Sequence, residues 1–284
     1  MIDTTTPSAI DTLAGAFWLA RRGAAKLWLR RDVAAELREA DLWSLERFFE
    51  EDSPFEGRGG TAAAELKGGR RIVVCPYRHG GLLRALTGEC FKSSRRLESE
   101  LAVSWHLEQA GLHVPRALGG RALHLGPWRW KLHLITERIP DARDFKGVLE
   151  ELPPRRGKGL GEWRAAVREA GEQVRAVHDA DVDHTDLHVK NLLLGPGGRA
   201  WVIDLDNARR GANGARRTAA LAKLYRSGQK LRAGQRPTRT ECARFARAYY
   251  GESWKQGWNE VRRHYDRGLI LHRLGWRLER LYRR

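Results

Sequence analysis

The spacing of hydrophobic positions changes several times along the chain, and each change predicts a different element. In "DVAAELREADLWSLERFFE", Val33, Leu37, Leu42, Leu45 and Phe48 fall on one helical stripe, so residues up to about Asp52 are expected to be helical. "EGRGGT" (Glu56–Thr61) then reads as a glycine turn and "RRIVVC" (Arg70–Cys75) as a short strand. "SSRRLESELAVSWHLEQAG" (Ser93–Gly111) reads as a helix with Ser at its start and Gly at its end. "WKLHLITERI" (Trp130–Ile139) is a strand leading into a proline. From Gly161 to Asp179 helical spacing returns, with Trp163, Ala166, Val167, Ala170, Val174 and Val177 on one side. A strand–turn–strand unit spans Leu192–Asp204, and helices dominate after Ala215. Strands early and helices late predict an α+β chain with a smaller sheet lobe and a larger helical lobe.

Composition narrows the setting. With 284 residues, 42% of them hydrophobic, the chain can bury a substantial core. No apolar run approaches the length of a membrane span, and Leu13–Ala20 has its arginines after it, unlike a signal peptide. Cys75, Cys90 and Cys242 show no CxxC spacing, which argues for a reducing cytoplasm over a disulfide or structural-zinc scaffold. The net charge of +17 is concentrated late: residues 207–284 hold 21 Lys/Arg against 5 Asp/Glu. A basic segment on a nearly neutral body suits a polyanion. No recognised nucleic-acid motif accompanies it, so nucleic acid is not the expected partner.

The chemistry is concentrated in "HTDLHVKN" (His184–Asn191) and "VIDLD" (Val202–Asp206). "LLL" and "AWVI" can pair as a hairpin across "GPGG", since glycines admit the positive φ angles of tight turns. Asn191 precedes one strand and Asp204 follows the other, so both emerge at the hairpin's open end. An amide oxygen and a carboxylate there suit Mg²⁺, which takes few protein ligands and keeps room for phosphate oxygens. Asp186, just upstream, is placed to orient a hydroxyl and accept its proton.

These residues resemble the catalytic and metal-binding loops of the protein-kinase-like superfamily. "EGRGGT", "YRHGGLLRAL", "ESELAVSWHLEQAGLHVPRAL", "LITERIPDA" and "ALAKLYRSGQKL" narrow the resemblance to bacterial lipopolysaccharide core kinases, nearest to 3-deoxy-D-manno-octulosonic acid (Kdo) kinases. The resemblance implies a two-lobed kinase-like fold with a small antiparallel-sheet N-lobe and a larger helical C-lobe. Its divisions here are 1–52 (a helical extension), 53–139 (N-lobe and hinge) and 140–284 (C-lobe with a basic helical end). It implies ATP and Mg²⁺ as cofactors, Asp186 as catalytic base, and Asn191 and Asp204 as metal ligands, with His184 bracing the loop and His188 near the transferred phosphate. Gly57, Arg58, Gly59 and Gly60 would cover the ATP phosphates. Val73 would line the adenine site, Glu137 and Ile139 would form the hinge, and Glu100 would hold the phosphate-binding cation. The expected acceptor is a lipid A-linked core oligosaccharide. The expected location is cytoplasmic, peripheral on the anionic inner face of the inner membrane, with Leu271, Leu274, Leu278 and Leu281 on one face of the basic C-terminal helix.

One position departs from the pattern. Cys75 stands where a cationic side chain is expected, with Pro76 after it. If Pro76 breaks the strand ladder, Arg78 can turn back, pair with Glu100 and supply the charge. Two alternatives compete with a core-sugar kinase: an aminoglycoside-like phosphotransferase, which shares "HxDLHxxN", and a pseudokinase binding module. The basic segment disfavours a cationic acceptor, and the retained Asp186, Asn191 and Asp204 disfavour an inactive scaffold.

Overall fold

In strand β4 (Arg71–Pro76) the side chains alternate: Ile72 and Val74 enter one apolar cluster, while Cys75 packs against another. A sheet separates the two clusters, and this alternation organises the first half of the chain. The computed structural model describes residues 9–49, 60–78, 89–151 and 160–282, which fall into two compact units, Met1–Ile139 and Pro140–Arg284.

The first unit contains α1 (Ala9–Ala16), β1 (Phe17–Arg22), β2 (Ala25–Arg30), α2 (Ala34–Glu39), β3 (Ala62–Glu65), β4, β5 (Cys90–Phe91), α3 (Arg95–Gln109), β6 (Ala117–Gly126) and β7 (Arg129–Glu137). Its seven-stranded sheet has the order β1-β2-β6-β7-β4-β3, with β5 pairing β7, and every pairing is antiparallel. Helix α3 lies close against the sheet. A Cβ at Gly120 of β6 would stand 2.6 Å from Leu97 Cδ1, so only glycine fits there.

The expectation of a helical extension over residues 1–52 is corrected here. Residues 17–30, "FWLARRGAAKLWLR", form the β1–β2 hairpin, in register from Phe17↔Arg30 to Arg22↔Ala25, and Gly23 adopts φ +54 in its turn. Beyond the hairpin, the stripe of Val33, Leu37, Leu42 and Leu45 is buried as its spacing demands. It runs through short helical pieces (Arg31–Val33, α2, Leu45–Phe49) interrupted at Asp41, whose φ is +45.

The second unit contains β8 (Arg143–Asp144), α4 (Phe145–Glu151), α5 (Leu160–Asp179), β9 (Val182–Asp183), β10 (Leu192–Leu194), β11 (Ala200–Val202), β12 (Arg209–Arg210), α6 (Gly214–Gln229), α7 (Arg239–Tyr250) and α8 (Trp254–Tyr282). All six apolar stripe positions of α5 are buried. Its Trp163 donates from Nε1 to Glu241 Oε1 at 2.6 Å, and Glu241 also closes the capping box with Thr238 that starts α7. No helix among the described residues is long and apolar enough to cross a membrane. The leucine stripe expected in α8 lies outside the described side chains.

Candidate active site

Local hydrogen bonding assembles the site in the second unit. β10 and β11 pair as a hairpin, Leu192↔Val202 to Leu194↔Ala200, with Gly197 and Gly198 at positive φ in the turn. The ladder continues at the open end, where Ile203 N donates to Asn191 O at 2.9 Å. Asn191 and Asp204 therefore meet as the sequence predicts. Asn191 Nδ2 donates to the Asp186 carbonyl at 3.0 Å and to Asp204 Oδ2 at 3.4 Å. With the amide nitrogen engaged inward, its oxygen is the atom left to meet a cation.

Asp204 is held in an unusual state. Its φ is +62, in the left-handed region that few non-glycine residues occupy. Burial pushes its carboxyl pKa upward, with the neighbouring Asp206 charge adding to the effect. A cation at this position would relieve that cost, so the donor set fits one. Among the described residues no three His, Cys, Asp or Glu side chains form a self-sufficient metal cage. An amide oxygen plus a carboxylate is the sparse set suited to a cation whose remaining ligands are phosphate and water.

Two histidines flank this centre. His184 is buried, and burial lowers its pKa. Its Nε2 lies 3.0 Å from the Ile203 carbonyl, so the neutral ring donates there and ties the loop to the strand before Asp204. This is the bracing contact expected of His184. His188 Nε2 stands 3.6 Å from Asp186 Oδ2, and the Asp186 side chain is 58% exposed, open to a substrate.

The structure adds supports from residues to which the sequence assigned no role. Lys223 Nζ of α6 donates to the Thr185 carbonyl. Ser227 Oγ, one helical turn further along α6, accepts from Val189 N at 3.0 Å. Thr185 Oγ1 donates to the Asn207 carbonyl at 2.9 Å, joining the two ends of the loop system. The i, i+4 spacing of Lys223 and Ser227 was the available signal, but nothing local says what that face touches.

In the first unit the expected nucleotide residues are partly rearranged. Of the glycine loop only Gly60 lies among the described residues; Gly57, Arg58 and Gly59 lie outside them. Gly60 has φ +63, and a Cβ there would sit 3.1 Å from Arg78 Nη2, so the guanidinium lies directly against it. Val73 is half-buried on the same strand face as Cys75. Glu137 spends its carboxylate on Arg70 (2.7 Å) and Arg116 (3.5 Å), its backbone N–H donates to the Arg116 carbonyl at 2.9 Å, and Ile139 closes the unit.

The expected Arg78–Glu100 pair is not what forms. Glu100, 5% exposed, accepts from the Tyr77 hydroxyl, and Arg78 Nε stands 2.9 Å from Glu89 Oε1 as an ion pair without hydrogen-bond alignment. Pro76 does not break the ladder: it sits opposite His133, and Tyr77 N donates to Leu132 O at 2.9 Å. Alternation therefore continues, carrying Cys75 and Tyr77 to the α3 side and Arg78 away from it.

Comparison with known proteins decides the family. Residues 54–249 match the family model "Lipopolysaccharide kinase (Kdo/WaaP) family". The chain belongs to that family. It is 32% identical over 178 residues to a 3-deoxy-D-manno-octulosonic acid kinase of Vibrio parahaemolyticus, covering 61% of this chain and 71% of the relative. It is 30% identical over 205 residues to the enzyme of the same name from Xanthomonas campestris pv. campestris, covering 69% and 78%. The fold matches a solved structure of WaaP in complex with acyl carrier protein, with a TM-score of 0.55 and 20% identity, covering 90% of this chain and 99% of that one. The α+β, two-lobed kinase-like fold expected from the sequence is thereby shown, and the protein is a lipopolysaccharide core kinase, a phosphotransferase acting on a sugar hydroxyl.

Proposed function

We propose that the protein uses ATP to phosphorylate a hydroxyl of Kdo on lipid A-linked core oligosaccharide. The observation that carries this reading is the junction of Asp186, Asn191 and Asp204, held by Asn191 Nδ2 between the other two. Asp186 orients the acceptor hydroxyl and takes its proton as the new O–P bond forms and the bond from the γ-phosphorus to the bridging oxygen breaks, releasing ADP, a step that needs positioning more than covalent assistance. Asn191 and Asp204 are the residues that would hold Mg²⁺, which when bound supplies neutralisation of phosphate charge. His184 keeps the loop and the Asp204 strand in register as a neutral ring. His188, beside Asp186, is placed to donate toward a phosphate or acceptor oxygen.

Arg78 is our candidate for the cation that Cys75 does not supply, now anchored by Glu89 and resting on Gly60. A guanidinium at a glycine turn suits phosphate oxygens. The Tyr77 hydroxyl helps hold Glu100 in place on α3. The names of the relatives and the concentration of positive charge after residue 207 support an anionic, membrane-borne acceptor, with the protein peripheral on an anionic surface facing the cytoplasm.

The test is incubation with ATP, Mg²⁺ and a panel of acceptors: Kdo–lipid A, heptose-extended core and an aminoglycoside. Mass spectrometry should find one phosphoryl group added to Kdo–lipid A. Transfer to the aminoglycoside alone would overturn the assignment.

A further inference from the structure

Two hairpins of the first unit end side by side. β2 and β6 pair through Ala25↔Leu123, and His124 N donates to Ala24 O at 3.0 Å, tying the β1–β2 turn to the β6–β7 turn. Trp128 stands at the second turn, 81% exposed, with Leu125 beside it at 46%. A single exposed aromatic is ordinary, but the Trp128 backbone has φ +55. That conformation favours glycine or asparagine, and a bulky side chain there is an outlier. Trp128 thus combines an unfavourable backbone with a side chain mostly in water, and packing within the fold explains neither. An outlier of this kind points to a function.

The surrounding charge identifies the partner. Residues 17–31 and 117–136, which contain both hairpins, include no Asp or Glu. Arg21, Arg22 and Arg129 are exposed, and Lys26 and Lys131 half-exposed, around the paired turns. Among the described residues none of the five forms an ion pair with a carboxylate. Lys26 instead lies 4.9 Å from the Trp130 ring centre, and Arg129 reaches the Cys90 sulfur at 4.0 Å.

We infer that these paired turns are a docking surface for an anionic lipid bilayer, with Trp128 and Leu125 entering the headgroup–acyl boundary and the basic side chains on the lipid phosphates. Tryptophan is enriched at that boundary because its ring is apolar with one polar edge. The tip is convex. A protein partner would need a pocket matched to it, whereas lipid moulds around an inserted side chain. Each Lys or Arg at an anionic surface adds attraction that salt weakens. This inference extends the reading of a membrane-borne acceptor, and vesicles free of lipopolysaccharide test it apart from phosphoryl transfer.

The experiment is co-sedimentation of the full-length protein with phosphatidylglycerol/phosphatidylethanolamine vesicles and with phosphatidylcholine vesicles. Wild type should prefer the anionic vesicles and lose affinity as salt rises. Trp128→Asn supplies a residue that tolerates positive φ, so its melting temperature should equal or exceed that of wild type. Its affinity for the anionic vesicles should fall by at least about tenfold, the consequence of leaving one large side chain unburied. Arg21→Gln with Arg22→Gln should lower affinity by about 30-fold at low salt. With brominated phosphatidylglycerol, wild type should show a quenched emission component that Trp128→Asn lacks. Unchanged binding in a folded Trp128→Asn variant, or equal quenching in both proteins, would overturn the proposal and leave the tip to a protein partner or to none.

Discussion

The two regions that carry the expected chemistry were built in opposite ways. Around Asp186, Asn191 and Asp204, segments close in sequence meet through one hairpin, and its hydrogen bonds fix which side chains converge. Around Cys75 and Glu100, a strand and a helix meet with no backbone ladder between them, and the partner of each group is settled by which face of the strand it occupies. The first arrangement tolerates little variation because its backbone geometry is shared by all its members. The second departs from the expected pairing: the Tyr77 hydroxyl donates to Glu100, and Arg78 turns to Glu89. The loop around Asp186 and Asp204 is thus the locally fixed region, and the surroundings of Cys75 and Glu100 the adjustable one.

That contrast is sharpened first by removing the local cluster. Asp186→Ala should lower turnover by about 10²–10⁴-fold, the usual worth of a positioned base, and Asp204→Ala by at least as much. Asn191→Ala should cost less, on the order of 10–100-fold, since water can replace a neutral ligand. Asp204→Asn removes a buried carboxylate that burial disfavours, so its melting temperature should stay level or rise. Lost activity together with lost folding would contradict the separation of catalytic from structural roles.

Next in size is a pH effect shared by both units. Burial lowers the pKa of His133 in the sheet unit and of His178 in the helical unit from 6.5 to about 4. Each ring is neutral when folded, and each contributes stability that is complete above pH 6.5 and disappears as pH falls through 4. Two and a half pKa units correspond to roughly 3 kcal/mol per ring. Urea titrations between pH 7 and pH 4 should show this loss, and His133→Phe or His178→Phe should flatten its share of the curve. A pH-independent midpoint in wild type would refute the neutral-ring description.

The adjustable half predicts smaller effects. Tyr77→Phe leaves buried Glu100 without that hydroxyl, and stability should fall by about 1–3 kcal/mol, with kcat reduced. Arg78→Ala should raise the KM for ATP and lower kcat by about tenfold while leaving the KM for the lipid acceptor alone. Cys75→Lys should partly restore Arg78→Ala. If Arg78→Ala changes only the acceptor KM, Arg78 serves the acceptor and not ATP.

Legibility in the sequence followed the same division. The α5 stripe, the glycine end of α3 and the "GPGG" hairpin could be read because each depends on neighbours within a few turns of chain, whereas the expected serine start of α3 makes no side-chain cap. The β1–β2 hairpin could not, because "FWLARRGAAKLWLR" borders a strong helical stripe and its pairing with β6 reaches nearly a hundred residues ahead. The fate of Arg78 turned on whether Pro76 interrupts the ladder. Proline's missing N–H leaves that open, and the Tyr77 N–H to Leu132 bond decides it. Lys223 and Ser227 were invisible for a related reason: their partners are backbone groups of a loop some forty residues away.

The measurement that bears most directly on the central claim is single-turnover phosphoryl transfer from ATP to Kdo–lipid A, followed by mass spectrometry, comparing wild type with Asp204→Ala of equal melting temperature. The account predicts one added phosphoryl group on Kdo with wild type and none on the same timescale with Asp204→Ala. Transfer at the wild-type rate by the Asp204→Ala protein would contradict it.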